Sequence, residues 1–263
     1  MKKLKLIILC LLAMVFISSC NKEEISKEIT QQQEIEPTQA QLDKLSGLKI
    51  DTGNVIIQEI KMLDGSKESY FIANDLLISV SDLAKYPEPQ SEASTEKQYR
   101  HPSIVAPPYR NINILGYTGG GGFALTAKMQ TALSWAVANY NVLPNTLNFN
   151  LTFGTNTGAA DMIVYRVNTP SAGGSAMIPN AAGQPGRFIR INAGTDAFST
   201  NVNEHVIGHE IGHAVGLAHP GTGIWIPGTP ISPSEPSIMQ PSFPASADGE
   251  LTPSDKVALN ILY

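Results

Sequence analysis

An α+β fold is expected from three observations. Short runs rich in β-branched and aromatic residues alternate apolar and polar positions. Two longer stretches repeat apolar residues at helical spacing. Their order in the second half of the chain is strand, helix, three or four strands, helix. Taken in turn, residues 55–61 and 69–80 read as strands, and Ser81-Asp82-Leu83 can start a short helix. Asn111–Tyr117 is a strand with Ile112 and Ile114 on one face. The glycine run Gly119–Gly122 after it reads as a loop, because the Lys and Ser/Thr of a phosphate-binding P-loop are missing. Thr126 caps a helix to about Tyr140, in which Met129, Leu133, Ala136, Val137 and Tyr140 form a core-facing stripe. Leu147–Phe153 and Asp161–Val167 are strands, Ser175–Pro179 is a short extended piece, and Arg187–Asn192 is a further strand. Asn201 and Glu204 have capping-box spacing and would open the next helix.

The N-terminus has the form of an address. Lys2, Lys3 and Lys5 precede the apolar run Leu6–Ile17, no acid occurs before Glu23, and the run is too short to span a bilayer comfortably. It ends in Ser18-Ser19-Cys20, which resembles the bacterial lipobox. That resemblance implies a signal peptide over residues 1–19, acylation of Cys20, and a lipid anchor in the cell envelope, in the outer membrane and at the cell surface. Asn21-Lys22-Glu23-Glu24 resembles a surface-export signal; a solvated tether is the plainer account of those four residues. Residues 20–46 are Gln/Glu-rich and apolar-poor, as a flexible tether would be. Charged residues number 24 in 21–104, against 14 in the longer stretch 105–263, so a boundary is expected near Tyr99–Pro108. It would separate a small N-terminal region, 47–104, from a main domain, 105–263.

Composition removes several functions. The net charge of −5 leaves no basic field for nucleic acid. Both cysteines, Cys10 and Cys20, lie in the leader, so the folded part has no disulfide, thiolate metal site or cysteine nucleophile. Acidic residues of the second zone show no calcium-loop spacing, which leaves calcium undetermined. Four of the five histidines, by contrast, fall within residues 205–219. His209 and His213 are four apart and share one helix face, so both imidazoles can reach one ion. Glu210 lies about 100° round the helix from His209, close enough to touch a metal-activated water without ligating the metal. His219 is out of reach on a continuing helix, but Gly216 accepts a left-handed backbone and can turn the chain back. His205 could pair with His209, but no glutamate follows it directly, and it is left outside the ligand set. His101 receives no role.

His209-Glu210-x-x-His213-x-x-Gly216-x-x-His219 matches the signature of the metzincin zinc peptidases, and its HEIGH core resembles the bacterial HEIGH-type metallopeptidases of that clan. The resemblance covers residues 109–263. It implies a metzincin-like α+β fold, with a twisted mixed sheet, an active-site helix and a C-terminal helix. Leu251–Tyr263 would be that last helix, with Pro253 in its first turn. Ser237-Ile238-Met239 resembles the clan's methionine turn, with Met239 beneath the metal. Pro241 stands where some members carry a tyrosine ligand, and Pro220 where many carry a polar residue.

The implied function is zinc-dependent peptide-bond hydrolysis by an endopeptidase. One Zn2+ would be held by His209, His213 and His219, with Glu210 as general base. The partners would be a peptide or protein substrate and the lipid anchor, and the chain is expected to be a monomer. Gly173–Pro179 resembles the clan's edge strand, so Ser175, Ala176 and Met177 would pair with substrate; a surface loop is the alternative. Residues 47–104 are a candidate pro-segment. Phe71-Ile-Ala-Asn74-Asp75 faintly resembles the aspartate switch of astacin-type pro-segments; an exposed aspartate at a strand end is the plainer reading of Asp75. Two rival functions stay open: an idle peptide- or glycan-binding lipoprotein on the same fold, and a zinc hydrolase of a non-protein amide.

Overall fold

A computed structural model describes residues 34–88, 98–230 and 237–263, which all belong to one compact unit. The leader, Cys20 and Asn21–Glu24 lie outside the described residues. Helix α1 (Gln39–Gly47) is followed by strands β1 (Val55–Lys61), β2 (Lys67–Ala73), β3 (Leu76–Ser79) and β4 (Tyr99–Arg100). Then come β5 (Asn111–Tyr117), α2 (Ala127–Asn141), β6 (Asn148–Gly154), β7 (Met162–Val167), β8 (Gly174–Met177) and β9 (Phe188–Asn192). Helix α3 (Thr200–Val215), β10 (Leu217–Ala218), β11 (Ile224–Trp225) and α4 (Pro253–Leu262) complete the chain. The α+β expectation holds, with a mixed sheet, a helix carrying the histidine motif and a helix at the C-terminus.

Eight strands form one sheet in the order β1-β2-β3-β8-β9-β7-β5-β6. The strands β9, β7, β5 and β6 run parallel, β8 is antiparallel to β9, and β3 joins β8 in parallel. A small sheet, β10-β4-β11, lies apart. One face of the large sheet presents Ile112, Ile114, Met162, Val164, Ile189 and Ile191 to α2 and α3. On α2 the buried residues include the whole predicted stripe, from Met129 to Tyr140. Thr126 caps α2 through a bond from the Met129 N–H, and α4 starts with Pro253 at its first turn.

Four expectations need correction. Residues 20–46 are not tether throughout: Thr38 and Gln41 close a capping box, and α1 buries Leu45 against the N-terminal strands. The run 69–80 is two strands, because Asn74 adopts φ 58° and the pair Asn74-Asp75 turns the chain between them. The change of composition near Tyr99–Pro108 divides no domains. The strand β4 pairs with β10 and β11, while β3 pairs with β8, so the N-terminal strands extend the main sheet. Helix α3 is capped by Ser199 rather than Asn201; Glu204 turns away from the helix end to accept from Asn139 on α2.

At the end of α3, Gly216 takes φ 119°, and its N–H returns to the carbonyls of Gly212 and His213. A Cβ there would lie 3.0 Å from Ile104 Cγ2 and 3.1 Å from the backbone at Ser103 and Ile104. Gly216→Ala is therefore expected to cost about 1–2 kcal/mol in backbone strain alone, seen in a denaturant melt as a lower midpoint. An unchanged midpoint would show that this turn accepts a side chain.

Candidate metal centre

On α3, His209 and His213 lie one turn apart, and the bend at Gly216 returns the chain so that His219 meets them. The three Nε2 atoms converge: His209 to His213 3.0 Å, His213 to His219 3.0 Å, and His219 to His209 3.2 Å. Backbone carbonyls set the tautomers. His209 Nδ1 donates to the Ile238 carbonyl at 2.8 Å, and His213 Nδ1 to the Leu217 carbonyl at 3.0 Å. Each ring then carries its second proton outward and turns an Nε2 lone pair inward.

A fourth group joins them from outside the motif. Asp75, in the β2–β3 turn, places Oδ2 3.1 Å from His209 Nε2 and 3.0 Å from His219 Nε2, with Oδ1 3.6 Å from His213 Nε2. The four ligand atoms lie within 4.8 Å of one another. Acceptors packed this closely need a cation or protons among them. Burial, reinforced by the other two histidines, outweighs the pull of Asp75 and holds His213 down at about 4, so a proton is a poor occupant at neutral pH. A tetrahedral zinc with bonds of about 2.0–2.1 Å places its donors about 3.3–3.4 Å apart, close to the spacing here. The donor set therefore fits one Zn2+.

Asp75 is thus not the exposed strand-end residue of the plainer reading, being only 18 % exposed. Burial would raise its carboxyl, but the three imidazoles outweigh that and hold it well below the usual carboxylate range.

Glu210 is 2 % exposed and lines the same cleft, and its Oε2 has no hydrogen-bond partner. Burial, with Asp75 adding repulsion, pushes its carboxyl well above the usual range. Gly174 on β8 makes room for it: a Cβ there would sit 2.7 Å from Glu210 Oε1. The cleft has a volume of about 530 Å³. The N-terminal strands supply one wall through Asp51, Asn74 and Asp75, and Gln240, Pro241 and Phe243 supply the opposite one.

Met239 is fully buried, with its Sδ under Gly212 of α3, where a Cβ would lie 2.5 Å from it. Its turn is held by Asp255, which the sequence reading did not single out. The Asp255 carboxylate accepts from Ser237 Oγ at 2.5 Å, the Ile238 N–H at 2.9 Å and Gln98 Nε2 at 2.9 Å. The capping box between Thr252 and Asp255 is the local signal that could have found it. Because Ile238 also carries the carbonyl that fixes His209, α4 reaches the metal ligands through this one carboxylate.

The expected edge strand is corrected by the same geometry. Ser175, Ala176 and Met177 lie on β8, which is paired on both sides: with β9, and with β3 through Leu76↔Ala176 and Leu77↔Met177. The Ala176 N–H donates to the carbonyl of Asp75 itself. The remaining histidines divide. His205 packs against Phe243 away from the ligand cluster, and burial holds it down at about 4. His101, given no role above, lies against His213.

The chain matches the family described as dual-action HEIGH metallo-peptidase over residues 70–222 and 220–263. No curated protein matches it. Among solved structures, "Structure of Myroilysin" is similar at 14% identity and a TM-score of 0.41, over 58% of this chain and 79% of that one. "Crystal structure of myroilysin" is similar at 14% identity and a TM-score of 0.40, over 58% and 82%.

Proposed function

This chain belongs to the HEIGH metallo-peptidase family, and from that premise we propose that it is a zinc-dependent endopeptidase whose general base is Glu210. The observation that carries the reading is the convergence of three imidazole lone pairs in a cleft that also holds a buried, unpartnered glutamate oxygen. His209, His213 and His219 would hold the ion. When bound, zinc lowers the pKa of water to near 7 and polarises a carbonyl. Glu210 has an Oε2 free to take a proton and pass it to the leaving amine. Its raised carboxyl belongs to the metal-free cleft; a divalent charge beside it favours the carboxylate form. The cleft wall of Gln240, Pro241 and Phe243 would receive the side chain on the leaving-group side.

We further infer that the described chain is latent. Asp75 occupies the place where a fourth donor would bind, and β3 occupies the strand edge that an extended peptide would need. Attachment through an acylated Cys20 is the reading we place on the leader.

The test is hydrolysis of casein and of a quenched peptide library by the Asp75→Ala chain, with and without a zinc chelator. Chelation should abolish cleavage and added Zn2+ should restore it. Binding of peptide without cleavage would favour an idle binding module, which has no need of Glu210. Cleavage confined to a non-peptide amide would favour the other rival.

A further inference from the structure

His101 lies 108 residues from His209 in sequence, yet the fold places it in contact with the metal-binding cluster. The small sheet is responsible. Arg100 on β4 is in register with Leu217 on β10, and the His101 N–H, one residue on, donates to the Gly216 carbonyl at 2.7 Å. This carries the His101 ring over His213, with centroids 5.3 Å apart and planes at 39°. The ring is 1 % exposed. Its Nε2 is 3.2 Å from His213 Nδ1, the atom that also faces the Leu217 carbonyl at 3.0 Å.

We propose that His101 is a positioning residue for the metal centre, in which its Nε2 accepts a share of the His213 Nδ1–H bond and fixes the angle at which His213 presents Nε2 to the ion. The tautomers require this sense of the bond. The Leu217 carbonyl keeps the proton on His213 Nδ1, so His101 Nε2 can only accept, and the His101 proton must sit on Nδ1. That Nδ1 is buried without a partner. A buried polar atom left unpaired is destabilising, and a residue chosen only to fill the space would be apolar. His209 has its one acceptor in the Ile238 carbonyl. His213, the most buried of the three ligands, has two acceptors, from β4 and from the turn at Gly216. Second acceptors of this kind raise the basicity of a ligating imidazole and hold its orientation.

The proposal rests on the zinc centre argued above, and its test separates the two. In the full chain, His101→Phe keeps the ring volume and removes the acceptor, while His101→Gln restores an acceptor. Zinc affinity is read by chelator competition, and ligand geometry by the visible spectrum of the Co2+-substituted protein. The phenylalanine variant is expected to bind zinc about 10–100-fold more weakly, with a shifted cobalt spectrum, and glutamine to recover part of both. Zinc affinity within twofold of the native chain and an unchanged cobalt spectrum would make His101 a packing residue and overturn the proposal. If the phenylalanine variant does not fold, His101→Met against His101→Gln gives the same comparison: equal affinities and spectra overturn it, and a tighter glutamine variant supports it. A native chain that binds neither Zn2+ nor Co2+ would remove the metal centre itself, and the role of His101 with it.

Discussion

Glu210→Gln is expected to keep zinc at one ion per chain and to lose about 100- to 10,000-fold in peptide hydrolysis, the usual contribution of a positioned general base. The substitution is nearly isosteric, which matters because the space is tight. Gly174 leaves room for one Oε atom and no more, with a Cβ there only 2.7 Å from Glu210 Oε1. The amide fills the same volume but cannot accept a proton in the reaction. Its neighbours His209 and His213 keep their anchoring carbonyls at Ile238 and Leu217, so the ligand geometry should survive. Metal content by atomic absorption and kcat/KM on a quenched peptide are the two readings. Full activity would remove Glu210 from the chemistry. Loss of zinc together with activity would mean that the variant has disturbed the ligands, and Glu210→Asp would then be needed to separate distance from proton transfer.

Asp75→Ala is expected to act in the opposite direction. The Asp75 carboxylate lies 3.0–3.1 Å from two of the three ligand nitrogens, so substrate and Asp75 compete for one position. If the displaced state is a minor one, populated at 0.1–10%, removing the competitor should raise the activity of the full chain by about tenfold to a thousandfold. Zinc content should stay at one per chain, because three imidazoles remain. Activity that does not change, with zinc still bound, would show that the turn at Asn74-Asp75 already leaves the ion accessible. The pairing of β3 with β8 is only two residues long. It should not by itself hold off a peptide once the aspartate is gone.

The ligand set was legible because it is local. His209, Glu210, His213 and Gly216 sit on one helix and its cap, where a period of 3.6 residues and one left-handed glycine place every side chain. Chain order determines these contacts almost without help from the rest of the fold. The stripe of α2 and the alternation in β5 were readable for the same reason: each pattern reports a buried face over a few consecutive residues. The start of α3 was misplaced by two residues because Ser199 and Asn201 are both good caps, and the choice falls to what Glu204 finds on α2. The hairpin between β2 and β3 was read through as one strand because the run stays apolar on both sides of Asn74.

What the sequence determined by itself is the zinc motif, its glycine bend and the α+β class, all written in spacings shorter than about fifteen residues. Only the tertiary structure decided that Asp75, His101 and Asp255 belong to the same centre. Each arrives from a different element, across 134, 112 and 17 residues from the groups it touches. No periodicity records such separations. They follow from strand register, from β3 against β8 and β4 against β10, and from the docking of α4 under the methionine turn, contacts that exist only when the chain has closed on itself.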